Sequence, residues 1–186
     1  MKKAIVVIAV ALMVAVMLAV PVLAAPAERI PVALTVRTAA AQNTLPEKVW
    51  TTDGGIKHEQ GIIRTVPLES MAGNPPAPVK NVVLKIDGVP IYGIIYAVVD
   101  VMTNTKTGVM TNHYQKWIIT FPVQTGVPVE GSFEGVHTWS IDTTPTISGQ
   151  GHAVMQGSGG FEGQTLMLKM EFPPMPVVWN GYLLKR

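Results

Sequence analysis

Residues 81–121 read NVVLKIDGVPIYGIIYAVVDVMTNTKTGVMTNHYQKWIITF. From Asn81 to Ile86 apolar side chains recur at every second position, with Val82, Leu84 and Ile86 on one side and Val83 and Lys85 on the other. That is the two-residue repeat of a strand, in which successive side chains point to opposite faces. Asp87-Gly88 follows, and glycine accepts the positive φ that a tight hairpin turn demands. The chain then returns as a long strand, Ile91–Met102, turns at Asn104-Thr105-Lys106-Thr107-Gly108, and runs back as Val109–Phe121 with Trp117, Ile119 and Phe121 on one face. Three antiparallel strands joined by short turns make a meander, which sets the class of the whole domain.

The flanking sequence keeps the same style. Val32–Arg37, Lys48–Thr52, Ile56–Gln60 and Gly61–Leu68 are strand-like before the meander, with Asp53-Gly54-Gly55 as a turn. Met71–Pro78 reads as a loop, because Pro75, Pro76 and Pro78 cannot donate to a ladder. After the meander come Val136–Ile141, Ile147–Met155, Gln164–Phe172 and Val177–Leu184. In Gln164–Phe172 the residues Leu166, Leu168, Met170 and Phe172 point inward, and Met167, Lys169 and Glu171 outward. No segment after the N-terminal run repeats at helical spacing. The expected fold is all-β, an antiparallel β-barrel of about eight strands, since closure removes the raw edges that a long sheet leaves. Ile91–Val101 is apolar on both faces, which calls for cover on its outer side, by a loop, a terminal segment or a neighbouring subunit.

The N-terminus has a different character. Met1-Lys2-Lys3 precedes an apolar run from Ala4 to about Leu23, and Ala24-Ala25-Pro26-Ala27 offers cleavage after Ala24, Ala25 or Ala27. This is a signal-peptide helix over residues 1–25, with the barrel domain at 26–186. At roughly 20 residues the run is also long enough to stay as a membrane anchor. Either outcome places the domain outside the cytoplasmic membrane, secreted or extracytoplasmic. Loss of Lys2 and Lys3 takes 14 Lys+Arg to 12, against 12 Asp+Glu, so the mature domain is near neutral and lacks the basic footprint of a nucleic-acid binder. There are no cysteines, which excludes a lipid-modified cysteine and disulfides alike.

Two short stretches echo one another. Gly131-Ser132-Phe133-Glu134-Gly135 and Gly157-Ser158-Gly159-Gly160-Phe161-Glu162-Gly163 place a Phe-Glu-Gly triplet twice, 28 residues apart. With Trp117-Ile118-Ile119-Thr120-Phe121 and Gly149-Gln150-Gly151-His152-Ala153, this cadence resembles the allene oxide cyclase-like barrel proteins, a group with secreted prokaryotic members of unknown role. The likeness covers roughly residues 117–170 and implies an antiparallel barrel with a lumen and a tendency to multimerise. It carries no catalytic residue across. Gly131, Phe133, Glu134, Gly135, Gly159, Phe161, Glu162 and Gly163 read as a structural turn motif, the glycines serving bends, the phenylalanines closing a barrel end and the glutamates accepting backbone N–H bonds.

No local pattern of catalysis or metal binding stands out. His58, His113, His137 and His152 lie in none of the short metal motifs and read as solvated or half-buried strand residues, with His137 on the face of Trp139. The serines lack a nucleophile elbow, and neither a metal nor any other cofactor is expected. The residues proposed to meet a ligand are Tyr92, Tyr96, Trp117 and Trp139, in the lumen or on the apolar face. The function expected from sequence is therefore an exported, non-enzymatic barrel that binds a small apolar ligand or a partner subunit, a second copy included. The alternative is a lumen-based isomerase or cyclase working on an apolar substrate, which needs few polar groups and leaves little motif.

Overall fold

The computed structural model describes residues 26–122, 130–144, 146–172 and 177–185, the side chains of His113 and Tyr114 excepted. The expected leader at 1–25 lies outside the described residues. The strands are β1 (Glu28–Val36), β2 (Gln42–Asn43), β3 (Lys48–Thr51), β4 (Ile56–Val66), β5 (Glu69–Ala72), β6 (Ala77–Lys80), β7 (Val82–Ile86), β8 (Val89–Tyr92), β9 (Ile94–Asn104), β10 (Met110–Phe121), β11 (Gly131–Asp142), β12 (Ser148–Gly159), β13 (Gln164–Phe172) and β14 (Val178–Lys185). A single 3-10 turn, Thr38–Ala40, is the helical content among the described residues. None of their helices is long and apolar enough to cross a membrane. The protein is all-β.

Every pairing is antiparallel, and the order β4-β9-β10-β11-β12-β13-β14-β1-β7-β8 gives the sheet a ring-like bonding pattern. β8 and β9 form one course of chain, broken at Gly93. β4 and β7 lie end to end along it. Val66 is opposite Ile95, and the Val82 carbonyl accepts the Gly93 N–H at 3.0 Å, so one position separates the two segments. β1, β2 and β3 follow the far side of the same pair. The broken courses make this a ring-like sheet rather than an uninterrupted barrel.

The break between β4 and β7 is where residues 69–80 leave the ring. The stretch expected as a loop around Pro75 and Pro76 instead forms a small separate hairpin, β5–β6, with Pro78 opposite Met71. A two-stranded ribbon is all edge, so proline is tolerated there. Asn81 closes the seam. Its N–H donates to the Leu68 carbonyl at 3.0 Å, its Nδ2 donates to the Pro67 carbonyl at 3.0 Å, and its own carbonyl accepts the Arg37 N–H at 2.8 Å. Ser70 Oγ donates to Asn81 Oδ1 at 2.8 Å. A side chain this buried needs such partners, because an unbonded buried amide costs about 1–3 kcal/mol.

The interior is filled by alternate residues of each strand, among them Val32 and Leu34, Val82 and Leu84, Ile95, Ala97 and Val99, Leu166, Leu168 and Met170, and Leu183. The hairpin turn at Asp87-Gly88 has φ of 48° and 81°, as its sequence requires. One end of the ring is closed by Phe121, Phe133 and Phe161, whose ring centroids lie 4.6–6.3 Å apart. Gly157 makes that closure possible, since a Cβ there would lie 2.1 Å from the Phe161 carbonyl oxygen. The two Phe-Glu-Gly triplets thus meet in space, but differently from the expected pair of turns. Gly131, Phe133, Glu134 and Gly135 lie inside β11, while Gly159 ends β12 and Phe161, Glu162 and Gly163 form the turn after it. Glu134 faces outward and pairs with Lys116 rather than capping backbone.

The outer cover expected over Ile91–Val101 is not supplied by the described residues. Ile91, Ile95, Ala97, Val99 and Val101 face the core, whereas Ile94 and Tyr96 remain 40% and 41% exposed on the outer wall.

Candidate functional site

At the end of the ring opposite the phenylalanines the core does not close. A cavity of about 280 Å³ opens there, walled by Val36, Val66, Ile95, Met110, Ile141, Met170, Val177 and three tryptophans, Trp117, Trp139 and Trp179. Four polar residues join this wall: Thr38, Asn43, Arg64 and His137. The cavity therefore has the composition of a small-molecule site, mostly apolar with a few convergent polar groups.

The bulges of β10 create the polar part. Pairing with β9 shifts between Asn112 and Tyr114, and pairing with β11 between Thr111 and Lys116. Asn112 fills the gap in the ladder with its side chain: Nδ2 donates to the His137 carbonyl, and Oδ1 accepts the Trp139 N–H. An amide side chain here replaces the missing peptide group of β10. Gln115 is fully buried and its Oε1 accepts the indole N–H of Trp139 at 2.7 Å. These bonds fix the backbone of β11 from 137 to 139 and the plane of Trp139.

His137 sits between two indoles, 4.2 Å from the Trp117 ring and 4.5 Å from the Trp179 ring, centroid to centroid. Trp179 reaches it across β12, where Gly151 leaves room; a Cβ there would lie 3.0 Å from Trp179 Cη2 and 2.9 Å from the Thr138 carbonyl oxygen. The imidazole is 3% exposed, yet among the described residues neither of its nitrogens has a hydrogen-bond partner, and Trp117 Nε1 has none either. Burial, aided by the Arg64 charge, lowers the His137 pKa to about 3, so the ring is neutral at physiological pH. A neutral imidazole offers one donor and one acceptor.

Arg64 enters from β4 at the same end. Its strand is bulged between Glu59 and Ile62, where Gly61 has φ of 74° and donates its N–H to Asp100 Oδ1 at 2.8 Å. Beyond the bulge the inward positions are Ile62, Arg64 and Val66. Arg64 Nε donates to Asn43 Oδ1 at 2.9 Å, and burial pushes the guanidinium below its ordinary value.

The structure gathers Trp117 and Trp139 in this cavity and places Tyr92 and Tyr96 elsewhere. Tyr92 lies on the outer wall with Lys80 Nζ 5.4 Å from its ring, and Tyr96 is on the same outer face. Both are even-numbered along a course whose odd positions face inward. Sequence reasoning omitted Arg64, Trp179 and the buried state of His137. The available signal was a lone arginine between Ile62, Ile63 and Val66, masked by the phase change at Gly61.

Two further recesses lie on the outer wall, and neither is lined by a buried polar atom left unbonded among the described residues. Trp50 and His58 stack face to face at 4.5 Å beside a recess of about 240 Å³, with Lys48 Nζ over the Trp50 ring. A wide groove over Val154, Met167 and Tyr182 carries Lys169 and Glu171, which pair with each other at 2.6 Å. Among the described residues no three His, Asp or Glu are grouped to hold a metal.

No protein-family model matches the chain, and neither a curated protein nor a solved structure matches it.

Proposed function

We propose that this is an exported protein, not an enzyme, whose ring-like sheet holds a small apolar ligand in the cavity between Trp117, Trp139, Trp179 and His137. The observation that carries the reading is a buried imidazole whose two nitrogens have no partner among the described residues, set in a mostly apolar wall beside open volume. Buried polar groups are nearly always bonded, and an exception of this kind makes sense when a guest supplies the bond. The volume admits a guest on the order of ten non-hydrogen atoms, at ~30 Å³ per water-sized unit.

Binding is favoured over the alternative, isomerisation or cyclisation in the lumen. An imidazole that stays neutral down to about pH 3 is a weak base. The other ionisable residue of the wall, Arg64, is a poor proton donor. The fold expected of the allene oxide cyclase-like barrels fits the proposal, and kinship with that group belongs to it. So do a leader at residues 1–25, for which mass spectrometry of exported material should find a mature N-terminus near Pro26, and a second copy against Ile94 and Tyr96, which predicts a dimer or larger species in solution.

The test of the ligand site uses the tryptophans. With 5-fluorotryptophan incorporated, the four residues give four fluorine resonances. Titration with indole should shift three of them, those of Trp117, Trp139 and Trp179, and leave Trp50 in place. A titration that moves none, or Trp50 alone, overturns the reading.

A further inference from the structure

We propose that the natural ligand is a monoanion, a carboxylate on a compact apolar body, and that Arg64 is the group that meets its charge. This rests on the cavity being the ligand site and adds the chemistry of the guest.

Arg64 stands at the open end of the ring. It is an inward position of β4 between Ile62 and Val66, and the cavity wall around it contains neither aspartate nor glutamate. The ion pairs among the described residues, Lys57–Glu59, Lys80–Glu69, Lys116–Glu134 and Lys169–Glu171, all use lysines and lie on partly exposed side chains. Arg64 takes part in none. Its Nε is held by Asn43, and its two terminal nitrogens have no partner among the described residues. A half-buried cation without a counter-ion among the described residues is costly, and an anionic guest would offset that cost.

The neighbouring groups narrow the partner. A guanidinium matches the planar fork of a carboxylate with two parallel N–H donors. Among the described residues the Trp117 Nε1 donor has no partner, and the neutral His137 ring has an unmatched donor as well as an unmatched acceptor. One cation beside uncharged hydrogen-bonding side chains suits a single negative charge. Apart from Thr38, Ala41 and Asn43, the remainder of the wall is tryptophan, methionine and branched aliphatic residues, which suits an aromatic or compact aliphatic body.

The experiment compares benzoate with benzamide, its uncharged equivalent in shape, on the full chain labelled with 5-fluorotryptophan, with indole as the neutral reference. Benzoate should bind about tenfold or more tightly than benzamide, the ordinary worth of hydrogen bonds to a charged group. Arg64→Met should erase that preference, so that benzoate and benzamide bind alike, and Arg64→Lys should restore part of it. Equal affinities for benzoate and benzamide in the unaltered chain overturn the inference even if Arg64→Met does not fold, as does a preference that survives the substitution. Should indole shift the three cavity tryptophans and benzoate leave them untouched, the anion is refuted and the ligand site stands. Should neither bind, the ligand site falls and the anion with it.

Discussion

Each end of the ring carries a cluster of three rings, and the two clusters are built to opposite purposes. At one end Phe121, Phe133 and Phe161 interlock without a polar atom, none more than 5% exposed. At the other Trp117, Trp179 and His137 pack at comparable distances, 4.2–5.4 Å between centroids, yet leave an indole N–H and both imidazole nitrogens without partners among the described residues. The phenylalanine end gains all its stability from burial and edge-to-face contact. The tryptophan end forfeits part of what its burial provides, because each unbonded polar atom costs roughly 1–3 kcal/mol. Sites of binding characteristically depart from the best-packed solution in this way.

The contrast should show first in stability. Phe133→Ala removes a fully buried ring from the closed end and should cost about 3–5 kcal/mol in denaturant unfolding. A loss near 1 kcal/mol would mean that the closed end is not a core.

Acid should come next, and should act on the open end. The folded His137 pKa, about 3, lies below the ordinary 6.5. Between those values the unfolded chain binds the extra proton, so this contribution to stability is full above about pH 6.5 and is lost as pH falls toward 3. The steepest slope is about 1.4 kcal/mol per pH unit. Arg64, the charge that faces the ring, stays protonated throughout and adds to the effect. His137→Leu should flatten the slope, and at pH 7 it should leave stability equal or higher, since it removes two unbonded atoms. A marked loss of stability at pH 7 would show that His137 is a structural core residue with bonded nitrogens.

The smallest effect belongs to the outer wall between the ends. Glu134 belongs to the first Phe-Glu-Gly triplet but pairs with Lys116 on half-exposed side chains. Glu134→Gln should change stability by less than about 1 kcal/mol. A larger loss would restore a structural role for the glutamate of that triplet.

What the sequence disclosed follows from period two. The alternation in Asn81–Ile86 and Gln164–Phe172 gave the right inward faces, because each strand has core on one side and water on the other. The same rule left the choice between lumen and outer face open where both parities are apolar: Tyr92 and Tyr96 cannot be told from Ile91 and Ile95 by hydropathy, and only the register shows that they face out. It failed again at Gly61 and at Asn112–Tyr114, where bulges shift the phase and so conceal which way Arg64 and Gln115 point. The buried state of His137 depends on Trp117 and Trp179, distant in sequence and brought together only by closure of the ring.

The most direct test of an open end opposite a closed one is to locate a guest within the lumen. Met110 and Met170 line the cavity, and Met155 lies in the core outside its wall. With methionine methyls labelled with carbon-13, bound indole should give nuclear Overhauser contacts to the Met110 and Met170 methyls and none to Met155. Contacts to Met155, or to the exposed Met71 and Met167 alone, would contradict the account.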